Sequence, residues 1–464
     1  MNPIWNAPPV NIVKDMPIWR NFGIAMLGVI NASFLVWGSE ANTAQQLIAV
    51  LAAASIGSAA LIWIALDKGF KHTPLWWILG LAVTLRLIAV QASPLLEDDH
   101  FRYLWDGFRT VTAFDPYRLP PSAYFGVSGL SQQWQDILSG INNPDIPTIY
   151  GPVLQWLFAL AYLIAPGQVS AIQALVMVVD LAVLGLLVSQ RIGARWLLAY
   201  AVHPLILKEA IASAHPDGLV ALLLLLGLLA WQRRRAAWVG ILLGLAVATK
   251  VSALLVVPLF LIAPQFAGLR RNHVVLWIVW VMAGLSVSLA ILYLPFLVMG
   301  GSDGTALAVF SEHWRFNPLL YRFIEVVLSS QAARLTAAAL IIIAVAVLAL
   351  HCQRARSAIM VRPPVDFAIV ALLLLAPVVN PWYWLWVLAP AILLGRTLVA
   401  SIAAVAALSY INASVLCSAG WCAAFASTGP YSVIWPITVV QLVVIGIAWR
   451  YDVLRNRTQK VEAR

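Results

Sequence analysis

Charge is what this chain has least of. Only 10% of its 464 residues are Asp, Glu, Lys or Arg, against 62% hydrophobic residues and 21 tryptophans. A soluble domain of this length carries far more charge, so that class is excluded. Cysteine is nearly missing, with three residues and no CxxC pair. There is no HExxH and no glycine-rich phosphate loop, so nucleotide-driven chemistry has no motif to rest on. Residues 1–17 are polar and proline-rich without a short apolar core and cleavage site, and no removable signal peptide is expected there.

What is present is a succession of long apolar runs, which makes the chain a polytopic, all-α transmembrane bundle. Spans are expected near 18–37, 44–66, 75–93, 170–189, 196–213, 217–232, 236–250, 251–264, 274–298, 332–350, 365–379, 382–396, 398–416 and 432–449. That is about 14 spans, with the usual uncertainty at each boundary. With both termini inside, twenty of the 29 Lys and Arg residues fall in cytoplasmic segments, Arg233–Arg235 among them. Most acids fall on the other side, as the positive-inside rule requires. The net charge of +10 is therefore a topology signal, and no nucleic-acid partner is needed to explain it. Counting 150–166 as a span would invert this pattern, so it is expected to be a shallow or re-entrant helix of the first outer loop. The chain is expected to divide into an N-terminal segment and hairpin (1–74), a central transmembrane module (75–300, with outer loop 94–169) and C-terminal helices (301–464).

The first outer loop opens with Glu97-Asp98-Asp99-His100-Phe101-Arg102-Tyr103-Leu104-Trp105-Asp106-Gly107. As a helix, this stretch puts Asp98, Asp99, Arg102 and Asp106 on one face and Phe101, Leu104, Trp105 and Phe108 on the other. It reads as an amphipathic helix at the membrane surface with its acids outward, or as a charge-capped helix start. A loop this long is expected to be functional and ordered by its aromatics. Arg86 is an intramembrane charge that either approaches the Glu97 cluster or pairs structurally with a carboxylate. Asp180, in the middle of its span, is expected to be a partner in helix packing. His215-Pro216-Asp217 lies at an outer helix junction, with Asp217 open to a role as a helix cap. Lys208 and Glu209 either pair with each other or face a polar cavity. Lys250 interrupts an apolar run and is expected to point into a recessed outer cavity. His313 and Arg315 sit in the second-largest outer loop, and Trp382, Tyr383 and Trp384 open an outer span end. Cys417 and Cys422 are placed to form a small disulfide.

Outside the cytoplasm a sugar transferase needs a donor activated other than as a nucleotide sugar, and a lipid phosphate is the natural one. Transfer then requires a carboxylate to take the acceptor proton and cations on the departing phosphate. The set Glu97-Asp98-Asp99, Tyr103-Leu104-Trp105-Asp106-Gly107, Asp115-Pro116-Tyr117, Pro147 to Pro152, His215-Pro216-Asp217 and Gly244 to Lys250 resembles the GT-C superfamily of membrane glycosyltransferases. It is nearest to bacterial polyprenyl-phosphate-mannose-dependent mannosyltransferases, over about residues 75 to 300. The resemblance implies an inverting enzyme of the inner membrane whose active site faces outward and whose acceptor is a lipid or glycan. It implies Asp98 as base, with Asp99 second. Arg86, Glu97, Arg102, Tyr103, Asp106, Tyr150, His215, Asp217, Lys250, His313, Arg315 and Tyr383 would bind donor phosphate or substrate. No cofactor is certain; a divalent cation such as Mg or Mn would fall to Asp98 and Asp99. The rival reading is a lipid or sugar transporter, whose sites tend to lie near mid-membrane between repeated halves.

Overall fold

The computed structural model describes residues 18–39, 57, 61–62, 64–66, 68–94, 96–261, 271–354, 362–411 and 435–462. Among them there are helices and no strand, only one isolated bridge between Phe316 and Val378. Most of the expected 44–66 span, Cys417 and Cys422 lie outside the described residues. Three helices are long and apolar enough to cross a membrane among the described residues, within 169–189, 272–298 and 330–352, and eight shorter apolar helices accompany them.

The expected spans mostly return as helices, with informative breaks. α1 covers Ile18–Ser39, α2 Leu75–Ala89, α3 Asp99–Thr112, α4 Gln132–Ser139, α5 Pro152–Ile164 and α6 Val169–Ser189. The run expected at 196–213 is broken. α7 stops at Ala201 before His203-Pro204, and Ile206–Ala212 continues as a π-helix, a form concentrated at functional sites. α8 (Gly218–Gln232) and α9 (Ala236–Thr249) form a hairpin turned by Arg233–Arg235, which brings Asp217 and Lys250 to the same end of the bundle. The 251–264 run is a 3-10 turn plus the short α10 (Val257–Leu261), too short to span. Then come α11 (Arg271–Val298), α12 (Gly304–His313), α13 (Tyr321–Val327), α14 (Ser330–Arg354) and α15 (Val365–Leu375). α16 (Leu385–Leu393), α17 (Leu398–Leu408) and α18 (Trp435–Glu462) complete the bundle.

In lipid, helices gain little from apolar burial and must pack by close approach. Gly240 and Gly244 of α9 face Gly284 and Ser288 of α11. A Cβ at Gly240 would lie 2.0 Å from the Val281 carbonyl oxygen, so only glycine fits. Gly107 does the same for α3 on α5, where a Cβ would meet the Phe158 carbonyl oxygen at 2.4 Å. Aromatics pack the long loop after α2: Phe108 stacks on Trp134 at 4.3 Å, and Trp105 packs edge-on to Tyr124 at 5.3 Å. α5 is a 13-residue apolar helix laid against α3.

The packing corrects two expectations. Arg86 does not reach the outer cavity. It is fully buried, with Nε donating to Asp180 Oδ2 at 2.8 Å and Nη1 to the carbonyls of Ala82 and Ala201. Tyr200 donates to the other Asp180 oxygen at 2.8 Å, so the buried Arg86 charge is ion-paired between helices, and Asp180 is the packing partner expected. Asp106 does not face outward either. α5 covers that face of α3, and Gln155 donates to Asp106 Oδ2 at 3.1 Å.

Candidate active site

The acidic stretch is fixed by the start of α3. Leu96 takes the left-handed backbone conformation (φ 63°), uncommon for a branched residue and a mark of local constraint. Asp98 is the N-cap of α3 and Asp99 lies in its first turn, where the helix dipole favours negative charge. Asn142, from the turn after α4, donates to Asp98 Oδ1 and, at 3.3 Å, to Asp99 Oδ1. The Tyr150 hydroxyl donates to Asp99 Oδ2 at 3.1 Å. Two like charges are thus held side by side by neutral donors.

Cations approach from other elements. Lys250 ends α9 in extended conformation. Its Nζ is 3.8 Å from Asp217 Oδ1 and lies over the rings of Tyr150 and Tyr383, 5.1 and 5.4 Å from their centres. Arg102, one turn into α3, donates to the Ile146 carbonyl and sits 3.8 Å from Asp106 Oδ1. Arg315, after α12, pairs with Glu325 and is half exposed. Its loop is pinned to residues 377–379: Phe316 N donates to Pro377 O at 3.1 Å and Val379 N to Phe316 O at 2.8 Å. Together these segments enclose a cavity of about 750 Å³ bordered by Glu97, Asp98, Asp99, Arg102, Tyr150, Lys250, Arg315 and Tyr383. It lies at the end of the α8–α9 hairpin opposite Arg233–Arg235.

A second polar group backs this cavity. The π-helix places Lys208 and Glu209 together, Nζ 3.2 Å from the Glu209 carboxylate and 3.7 Å from Glu97 Oε1. The Tyr410 hydroxyl lies 2.7 Å from both Glu97 and Glu209 and bridges them, its one proton donated to either carboxylate. His215, after a left-handed Ala214 (φ 61°), hydrogen-bonds the Tyr103 hydroxyl through Nδ1 at 2.8 Å. Its ring stacks on Trp382 at 3.9 Å. Glu97, Glu209 and His215 have ligand-type atoms within 4.8 Å of one another. The Lys208 ammonium supplies positive charge there and ties Glu97 and Glu209 into an ion-pair network.

Burial tunes the groups outside the spans. The Asp98 carboxyl is pushed up by desolvation and further by the Asp99 charge, while Asn142 opposes the shift. Glu97 is raised by desolvation, partly offset by Lys208. Asp106 is raised by burial to about 6 despite Arg102, and burial lowers His100 to about 4.

Of the residues singled out in the sequence, Glu97, Asp98, Asp99, Arg102, Tyr150, Lys250, Arg315 and Tyr383 border the cavity. Tyr103, Asp106, His215 and Asp217 lie just behind it, each touching a bordering group or its neighbour. His313 is exposed at the end of α12, 3.2 Å from the Val309 carbonyl, and does not border it. Sequence reasoning missed Asn142, Tyr410 and Trp382 as parts of the site. Asn142 sits in an Asn-Asn-Pro stretch that reads only as a turn, and Trp382 belongs to an aromatic cluster of a kind any membrane interface carries. Tyr410 near a span end gave no signal.

The chain matches the family model described as alpha-(1->6)-mannopyranosyltransferase, N-terminal domain, over residues 22–265. The match begins within α1, earlier than the motif resemblance, and contains Asp98, Asp99, Glu209, His215, Asp217 and Lys250. Arg315, Trp382 and Tyr410 lie beyond it. No curated protein and no solved structure matches the chain.

Proposed function

Because the chain belongs to the MptA_B family of alpha-(1->6)-mannopyranosyltransferases, we propose that it moves mannose from a polyprenyl phosphate to a glycan or lipid acceptor on the outer face of the inner membrane. One observation carries this reading: three consecutive carboxylates and the cations Lys250 and Arg102, from separate elements, meet in one cavity at the membrane-end of the helices. Such a cavity matches an outer-face transferase better than a mid-membrane transport site.

In the proposed reaction the acceptor hydroxyl oxygen attacks C1 of the donor sugar from the face opposite the phosphate. Its proton passes to Asp98, the C1–O bond to phosphate breaks, and the electron pair leaves on the phosphate. The product is inverted at C1. Asp98 suits the role of base because desolvation and the Asp99 charge raise its basicity above that of a free carboxylate. Asp99, held by Tyr150, is the second candidate. Lys250 and Arg102 attract the departing phosphate, whose charge grows in the transition state. Arg315 is the reserve cation.

The Oδ1 atoms of Asp98 and Asp99 converge on the Asn142 amide nitrogen, a donor that occupies the place between them, so the pair as arranged does not fit a divalent cation, and no step is routed through one. The test of the function as a whole is in-vitro transfer from a synthetic polyprenyl-phosphate mannose to an octyl mannoside. Transfer by the purified chain supports it, and uphill or exchange transport without transfer would replace it with the transporter reading.

A further inference from the structure

The proposed reaction leaves the wall made by residues 380–384 without a role. Two rings there border the cavity, and each is backed by a second ring. Trp382 stacks on His215 at 3.9 Å and 14°, and Tyr383 stacks on Trp386 at 4.6 Å and 18°. Neither backing ring is free to move. His215 is tied to Tyr103, and the Trp386 indole nitrogen donates to Asp217 at 2.9 Å. An aromatic wall stiffened in this way suits stacking against a rigid, partly apolar ring. A flexible prenyl chain needs no such orientation.

The polar complement is next to it. Glu97 Oε1 is occupied by Tyr410 and faces Lys208, whereas Oε2 receives no hydrogen bond among the described residues although Glu97 borders the cavity. A carboxylate oxygen and an aromatic ring bordering one cavity supply the two elements of sugar recognition: C–H bonds pack on the ring and a hydroxyl donates to the acid. The wall also adjoins Lys250, which lies over the Tyr383 ring. A sugar on Trp382 would therefore be the one attached directly to the phosphate that Lys250 attracts.

We propose that Trp382 and Glu97 form the subsite for the hexose of the donor, Trp382 as stacking platform and Glu97 Oε2 as hydroxyl acceptor. This rests on the donor reading above and adds to it, in Trp382, a recognition element outside the matched region. A lipid-phosphate site alone would use Lys250 and Arg102; the sugar subsite uses different residues, so the two separate experimentally.

The experiment is equilibrium binding of two ligands to the full-length protein in detergent: a short polyprenyl phosphate, and the same lipid phosphate carrying mannose. The wild-type protein should bind the mannosylated lipid more tightly. Trp382→Leu and Glu97→Gln should each weaken the mannosylated lipid by about tenfold or more, with the affinity for the bare lipid phosphate retained. Trp382→Phe should keep most of the difference. Equal weakening of both ligands, or none, overturns the subsite while leaving the donor class intact. Failure of the wild-type protein to bind either lipid overturns the donor reading itself.

Discussion

Lys250→Met is the perturbation whose size the structure lets us work out. A unit charge about 4 Å from a phosphate, at an effective dielectric of about 20, contributes roughly 4 kcal/mol. Asp217 offsets part of that, because its Oδ1 is 3.8 Å from the ammonium and the Lys250 side chain is only 13% exposed. Removing the ammonium also leaves Asp217 as an unpaired buried acid facing the donor. The net loss expected is about 1.5–3 kcal/mol, or roughly 10- to 150-fold in the Kd for polyprenyl-phosphate mannose. Lys250→Arg, which keeps the charge, should retain partial affinity. Lys250→Met combined with Asp217→Asn should recover part of the loss, since the uncompensated acid is then gone. The assay is lipid binding to detergent-purified protein, with transfer measured alongside. Undiminished donor affinity and turnover in Lys250→Met would refute the phosphate role and leave Lys250 a structural partner of Asp217.

Removing the Asp99 charge should lower the Asp98 pKa, because that like charge is one of the causes raising it. The acidic limb of the rate profile, where the base becomes protonated, should then move to lower pH in Asp99→Asn; a limb that stays in place removes Asp98 or its coupling to Asp99 from the mechanism. Arg102→Lys should be costly, since an ammonium cannot both reach the Ile146 carbonyl and present a second donor to the cavity; transfer kinetics at saturating acceptor would show wild-type turnover if Arg102 is only a brace. Asp180→Ala should destabilise the fold by about 3–5 kcal/mol, since it strands the buried Arg86 guanidinium. The double change Arg86→Met with Asp180→Leu should cost less, and thermal unfolding in detergent would expose an additive result as an error in this assignment.

How far the sequence reveals this molecule differs between its levels. The bundle is legible because long apolar runs and the sidedness of Lys and Arg are strong signals, and because Asp98 and Asp99 next to a helical pattern announce a helix start. The helix breaks were not legible. Nothing in Ile206–Ala212 distinguishes a π-helix from an α-helix, since both are apolar runs with the same Lys208-Glu209 pair. Arg86 shows the other limit: an intramembrane arginine must find a partner, but whether that partner is Asp180 or the Glu97 cluster depends on helix packing. Asp106 was misplaced because its face of α3 was judged from charge, whereas Gly107 allows α5 to come close enough to cover it. Trp382 meets His215 across 167 residues and Tyr410 meets Glu97 across 313, distances no local pattern bridges.

The account stands on a cavity carboxylate acting as base in sugar transfer, and one measurement addresses that directly. Purified Asp98→Asn protein should bind polyprenyl-phosphate mannose with near wild-type affinity, because the substitution keeps the shape of the side chain and an oxygen able to accept from Asn142. Its rate of mannosyl transfer should fall by about 100- to 10,000-fold, the range for a lost general base. Transfer at the wild-type rate by Asp98→Asn, with donor binding intact, would contradict it.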